Sequence, residues 1–98
     1  MVLHEYLLPA GYRPRRVDLL IRLPAGYPDS APDMFWCDPA VVLERTGGAP
    51  EAATASEAYL GRSWQRFSRH LDAGLWQPAR DRLQSYLALI RRNLAKGA

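Results

Sequence analysis

The spacing of the apolar side chains changes along the chain, and this change limits the possible folds more than any other feature. Alternate positions share one face in two early segments: Val2, His4, Tyr6 and Leu8, and then Val17, Leu19, Ile21 and Leu23. Near the end the spacing becomes three and four residues: Leu83, Tyr86, Leu87, Ile90 and Leu94. Period two is typical of strands, and the longer spacing is typical of an amphipathic helix. The sequence therefore predicts an α+β fold, in which two antiparallel strands begin a sheet and a helix over residues 78–95 packs across it.

Proline and glycine divide the rest of the chain into short pieces. Residues 9–14 predict a turn between the first two strands, and the three prolines in residues 24–32 predict an extended crossing loop. Met34 to Trp36 predicts a third strand, in a meander of three or four strands. Residues 44–56 contain no apolar side chain larger than alanine, which predicts a surface loop. A short or irregular helix is expected within residues 57–72 from the spacing of four apolar residues: Leu60, Trp64, Phe67 and Leu71.

Composition narrows the class of protein. The 98 residues, 48% hydrophobic and 23% charged, predict a single globular domain over residues 1–98. No apolar run approaches the roughly 20 residues of a membrane-spanning helix, and a cytoplasmic protein without a membrane partner is expected. The net charge of +3 comes from scattered basic residues, a pattern that does not indicate nucleic acid. One cysteine, and no phosphate loop, dinucleotide fingerprint or metal-ligand spacing, predict neither a disulfide nor a cofactor or metal.

Two isolated residues could carry chemistry, and each has a simpler structural explanation. His4 alternates with apolar neighbours in the first predicted strand, which favours a partly buried residue with a backbone partner. Cys37 follows the aromatic pair at the end of the third predicted strand, where a lone cysteine is usually a small buried hydrophobe. The neighbouring Asp38 would raise the pKa of the thiol and make the reactive thiolate scarcer. Cys37 is therefore only an alternative nucleophile.

A polar cluster over residues 62–70 offers a more reactive combination. Ser68 is a potential nucleophile, and His70, two residues later, is a potential base. Positions i and i+2 share a face only where the chain is extended, and the residues alone favour a solvated basic face with Ser68 on a helix. Trp64 and Arg66 belong to the same cluster, and an indole beside arginines is a candidate partner-binding surface. The simplest explanation of Trp64 is a core or rim aromatic.

The order of these motifs resembles the ubiquitin-conjugating (UBC) fold. Two antiparallel strands lead through Leu23-Pro24 and Tyr27-Pro28 to Pro32, and a strand and a variable loop then precede Trp76-Gln77-Pro78 and an amphipathic helix. A tyrosine-proline loop, followed later by a tryptophan-x-proline motif that opens a helix, is the pattern of that superfamily. Residues 32–36 and 63–70 look like the bacterial branch called prokaryotic ubiquitin-conjugating family E. The similarity covers essentially the whole chain.

The sequence departs from the superfamily pattern in two places. The usual N-terminal helix and first strand have no counterpart, so the chain is either a minimal member or begins late. The histidine-proline-asparagine signature is also absent. The superfamily places its catalytic cysteine eight residues before the tryptophan of the tryptophan-x-proline motif, and eight residues before Trp76 is Ser68.

The resemblance implies an acyl-transfer function. A conjugating enzyme accepts the C-terminal acyl group of a ubiquitin-like protein from an adenylating activating enzyme, and a processing peptidase belongs to the same pathway. On Ser68 the product would be an oxyester, with His70 as the base. Arg69, Arg66 or Arg62 would then stabilise the developing oxyanion. The alternative is a non-catalytic adaptor of the same fold that binds the activating enzyme and the ubiquitin-like protein.

Overall fold

A computed structural model of the chain describes residues 1–27, 34–68 and 83–97. Within these ranges the chain forms seven strands and one helix: β1 (Val2–Leu7), β2 (Tyr12–Arg13), β3 (Arg16–Leu20), β4 (Phe35–Asp38), β5 (Val42–Leu43), β6 (Ala55–Tyr59), β7 (Arg62–Phe67) and α1 (Leu83–Gly97). Five strands make an antiparallel sheet in the order β1-β3-β4-β7-β6, and β2 pairs with β5. The α+β fold with a C-terminal helix is confirmed and agrees with a UBC-like meander, although the described residues contain more strands than predicted.

Strands β1 and β3 form the predicted antiparallel pair, but a β-bulge interrupts it. Val2 lies opposite Leu20, whereas beyond the bulge Tyr6 lies opposite Val17, so β1 contains one extra residue. Glu5 occupies the left-handed region at φ 55° within this bulge. One extra residue reverses the alternation of side chains beyond the bulge, so His4 does not share a face with Tyr6 as the alternation predicted. The expectation that His4 would be partly buried is wrong. The His4 side chain is 73% exposed.

The sheet buries apolar side chains on both of its faces. On the face covered by α1, Phe35 of β4 stacks on Phe67 of β7 with ring centroids 4.7 Å apart. On the other face, Trp36 and Trp64 form a smaller cluster with Leu20. Residues of β4 alternate between the two clusters, which explains why Phe35, Trp36 and Cys37 are all buried.

Helix α1 packs on the sheet through the predicted apolar stripe. Tyr86, Ile90 and Leu94 are buried, and the half-buried side chains of Leu83 and Leu87 pack against the same core. Hydrogen bonds also fix the helix: the Tyr12 hydroxyl donates to the Leu94 carbonyl, and the Tyr86 hydroxyl donates to the Met34 carbonyl at 2.7 Å. The described part of the chain contains no helix with the length and apolar character needed to cross a membrane.

The helix predicted within residues 57–72 is wrong, because residues 55–67 form the β6–β7 hairpin. Tyr59 pairs with Arg62, which leaves a two-residue turn of Leu60 and Gly61. Both turn residues have positive φ, 55° and 77°, as a type I′ turn requires. Leu60 lies at the tip of this turn and is 74% exposed, so it belongs to no apolar stripe. Leu71 and the rest of that segment from residue 69 lie outside the described residues.

The surface loop predicted over residues 44–56 is confirmed for its first part. The chain is exposed and irregular from Glu44 to Gly48, with a left-handed Gly47 at φ 71°. Ala53 is buried, however, and Ala55 and Ser56 already belong to β6. The loop therefore returns to the sheet immediately before the hairpin that leads to Ser68.

Candidate functional site

Ser68 directly follows β7, and hydrogen bonds to two neighbouring residues set its position. Its backbone N–H donates to the Ala52 carbonyl at 2.9 Å, which joins the end of β7 to the returning loop. Its hydroxyl oxygen, Oγ, accepts a hydrogen bond of 2.7 Å from Nε of Arg66. Arg66 reaches Ser68 because residues i and i+2 lie on the same side of an extended chain. Ser68 is half-buried, so its hydroxyl is held without being sealed from solvent.

Glu57 holds the arginine that contacts Ser68. Arg66 Nη1 lies 3.3 Å from Glu57 Oε2, and Glu57 Oε1 accepts a hydrogen bond of 2.7 Å from the Trp36 indole N–H. The Trp36 hydrogen bond, with help from the Arg66 charge, outweighs burial and holds the pKa of Glu57 below its usual value. Glu57 is therefore ionised at neutral pH. A continuous series of polar contacts runs from Trp36 through Glu57 and Arg66 to Ser68.

A buried amide fixes the loop on which Ser68 rests. The Gln65 side chain accepts from the Val41 N–H at 2.7 Å and donates to the carbonyls of Val41, at 3.1 Å, and Ala53, at 3.0 Å. The buried Gln65 amide therefore has hydrogen-bond partners for both its oxygen and its nitrogen, and such a buried network holds its neighbours in one arrangement. We call these hydrogen bonds of Gln65 to Val41 and Ala53 the Gln65 clamp. Ala52, next to Ala53, has a left-handed backbone with φ 56°. The clamp keeps the Ala52 carbonyl in place to accept from Ser68.

An open cavity of about 350 Å³ lies beside Ser68. One wall is formed by Glu51, Ala52 and Ser68, and the other by the last turn of α1. Asn93 and Lys96 are the polar side chains on the helix wall. The cavity therefore presents an acid, an amide and an amine around the candidate nucleophile. A larger cavity of about 530 Å³ lies elsewhere, against Val41 and Gln65, and its lining does not include Ser68.

Cys37 has the buried position that the sequence predicted. It lies in the core against α1 and is 0% exposed. Burial raises the pKa of its thiol to about 12, because the low-dielectric interior disfavours the thiolate. An acyl donor has no open path to this sulfur. These properties disfavour Cys37 as the nucleophile.

Trp64 and Arg62 form a second polar and aromatic cluster, on the sheet face away from α1. The Arg62 guanidinium lies 4.1 Å from the centroid of the Trp64 ring and forms ion pairs with Asp18, at 3.1 Å, and Asp38, at 3.2 Å. Burial alone would raise the pKa of Asp18, but hydrogen bonds from Arg62, the Glu5 amide and His4 outweigh it, and the pKa is lowered. Trp64 is 0% exposed and offers a partner no accessible surface. Arg62 is committed to the two carboxylates and does not contact Ser68.

The structure brings some of the predicted site residues together and leaves others outside its description. Ser68 and Arg66 are in direct contact, whereas Arg69 and His70 lie outside the described residues, as do Trp76 and Pro78. The neighbours of this site also include Glu57, Ala52 and Lys96, none of which was predicted from the sequence. Glu57 and Arg66 both lie in the segment 57–72 that was predicted as a short or irregular helix, and recognising Leu60-Gly61 as a type I′ turn would have placed them on paired strands. The described residues contain no cluster of three or more metal-ligating side chains.

The chain was compared with known families, curated proteins and solved structures. A family model described as prokaryotic E2 family E matches residues 1–97. No curated protein matches the chain, and no solved structure matches it.

Proposed function

The chain belongs to prokaryotic E2 family E, and from this premise we propose that it accepts the C-terminal acyl group of a ubiquitin-like protein as an oxyester on Ser68. E2 proteins are the conjugating components that receive such groups from an activating enzyme. An activating enzyme and a ubiquitin-like protein are therefore the proposed partners. The processing peptidase that the resemblance also implies gains no support from the family match.

The hydrogen bond from Arg66 to Ser68 is the observation that carries this proposal. A guanidinium is permanently charged and stabilises negative charge on an oxygen to which it donates. Charge develops on oxygen both when a serine hydroxyl loses its proton and when the acyl carbonyl becomes tetrahedral. Glu57 keeps the guanidinium at the Ser68 end of β7. This contact supports the proposal, because acyl transfer to Ser68 would need a positive charge at this position.

The proposed step transfers the acyl group from sulfur to oxygen. Ser68 Oγ forms a bond to the thioester carbonyl carbon on the activating enzyme, and the carbon–sulfur bond breaks. The hydroxyl proton passes to His70, the proposed general base, and then to the departing thiolate. Arg69, which neighbours His70 in the sequence, is proposed as a further oxyanion donor. No oxidant or reductant is consumed in this exchange.

A reaction of the chain with its cognate activating enzyme, ubiquitin-like protein and ATP tests the proposal. The wild-type adduct should resist dithiothreitol but be cleaved by hydroxylamine, because oxyesters exchange slowly with thiols. Ser68→Ala should abolish the adduct, and Ser68→Cys should convert it into a thioester that dithiothreitol releases. A folded Ser68→Ala chain that forms the adduct at the wild-type rate would rule out the oxyester. Formation of a stable ternary complex without any adduct would support the adaptor instead.

A further inference from the structure

Lys96 is the single lysine of the sequence, and it lines the same cavity as Ser68. Lysine and arginine together number 13, so the other twelve are arginines. Their guanidinium groups are poor nucleophiles. An amine attacks an ester carbonyl to form an amide, which is more stable than the ester. The only side-chain amine of this chain thus lies in the cavity beside the residue proposed to carry the acyl group.

The fold fixes the backbone of Lys96 while leaving its side chain able to move. Leu94, two residues earlier, is 1% exposed, and its carbonyl accepts a hydrogen bond from the buried Tyr12 hydroxyl. Lys96 itself is exposed and forms no ion pair with any residue that the structure describes. Its flexible four-carbon stem allows the amine to sample the cavity. The opposite wall, at Ala52 and Ser68, is held by the hydrogen bond between them.

Resting on the function proposed above, we propose that Lys96 is an intramolecular acceptor of the acyl group from Ser68. After the ammonium releases a proton to solvent, Nζ forms a bond to the ester carbonyl carbon. The bond from that carbon to Ser68 Oγ breaks. One of the two protons of the attacking amine passes to Oγ and restores the hydroxyl, and the other stays on the amide nitrogen. The product is an isopeptide between the ubiquitin-like protein and Lys96. Proximity within one cavity favours this transfer over attack by an amine from solution.

A chase experiment separates this transfer from the first step. The chain is charged with its cognate activating enzyme, ubiquitin-like protein and ATP, ATP is then removed with apyrase, and samples are treated with hydroxylamine over time. The hydroxylamine-labile ester should decline while a hydroxylamine-resistant adduct increases at a rate independent of chain concentration. Digestion before aspartate residues separates the fragment 38–71, which contains Ser68, from the fragment 81–98, which contains Lys96. The resistant mass should lie in the second fragment.

Two variants test whether the resistant adduct forms because Lys96 lies in the cavity or only because it is a reactive amine. Lys96→Arg keeps the positive charge and should abolish the resistant adduct. The double variant Lys96→Arg/Arg45→Lys moves the single lysine to an exposed turn that does not line the cavity. In this variant the hydroxylamine-resistant adduct should form at least about tenfold more slowly than in the wild type. An equal rate in this relocated variant would overturn the proposal.

The possible failures are distinguishable. A labile ester that only hydrolyses, with no resistant product, would overturn the role of Lys96 and leave the proposed function of Ser68 standing. A resistant Lys96 adduct in Ser68→Ala at the wild-type rate would overturn transfer through Ser68. Absence of any adduct would overturn both proposals, since no acyl group would then reach the cavity.

Discussion

The Nε atom of Arg66 lies 2.7 Å from Oγ of Ser68 and donates a hydrogen bond to it. These residues are two positions apart at the end of a strand, and the contact depends on the extended backbone of β7. On a helix the same two side chains would point in different directions. The strand conformation of residues 62–67 therefore creates the charged environment of Ser68.

Replacing Arg66 should slow acylation of Ser68. Arg66→Ala removes the donor to Oγ, and loss of one such donor usually costs about 10²- to 10³-fold in rate. The measurement is the single-turnover rate of adduct formation per folded chain, with folding followed by circular dichroism. Arg62→Ala is the matched control, because Arg62 lies on the same strand but binds Asp18 and Asp38. Equal rates for the two variants would contradict a role for Arg66 at Ser68.

Cys37 should be dispensable for adduct formation and inert in the folded chain. Cys37→Ala should keep the adduct at a stability cost of about 1 kcal/mol, since it leaves a small gap in the core. Because burial raises the pKa of the thiol to about 12, the native chain should not react with a thiol reagent such as DTNB until urea unfolds it. Rapid labelling of the native chain would show that Cys37 is accessible.

Acid should destabilise the chain partly through Asp18. The pKa of Asp18 is lower in the folded chain than in the unfolded chain, so its contribution is fully present above its ordinary value near 3.8. That contribution is lost as the pH falls through the lower folded value, where Asp18 becomes protonated. Urea midpoints from about pH 6 to about pH 2.5 should fall more steeply for the wild type than for Asp18→Asn. Glu57→Gln should likewise weaken the dependence of the urea midpoint on pH. Parallel dependences for the wild type and both variants would contradict these pKa shifts.

The hairpin turn should be improved by replacing Leu60. A leucine at φ 55° is strained, whereas asparagine tolerates this conformation and is favoured before glycine in a type I′ turn. Leu60→Asn should raise the free energy of unfolding by about 1 kcal/mol, measured by urea denaturation. Leu23→Asn makes the same chemical change at another exposed leucine that lacks a positive φ, and it should bring no gain. A decrease in stability for Leu60→Asn would argue against the turn.

The N-terminal strand pair and the C-terminal helix were predictable, because each has a regular apolar pattern over several residues. The stripe along α1 and the pairing of β1 with β3 both follow from side-chain periodicity. The β6–β7 hairpin was not predicted because Trp64 and Phe67 lie on opposite faces of a sheet that is buried on both sides. Burial on both faces removes the alternation that identifies a strand.

The candidate site was predictable only in part. Ser68 was selected through the resemblance, because the superfamily places its nucleophile eight residues before the tryptophan that corresponds to Trp76. The contacts made by Glu57, Ala52 and Lys96 join segments that are distant in the sequence, and no local pattern encodes them. Neither the bulge at Glu5 nor the exposed position of His4 beside Asp18 was predicted from the sequence.

Locating the acyl group by mass spectrometry tests the central claim most directly. Digestion before aspartate residues places the three candidate acceptors in separate fragments: Cys37 in 33–37, Ser68 in 38–71 and Lys96 in 81–98. After a brief reaction with the cognate partners and ATP, the hydroxylamine-labile acyl remnant should be on fragment 38–71 and should disappear in Ser68→Ala. A labile remnant on fragment 33–37, or one on fragment 38–71 that persists in Ser68→Ala, would contradict the assignment of Ser68 as the acyl carrier.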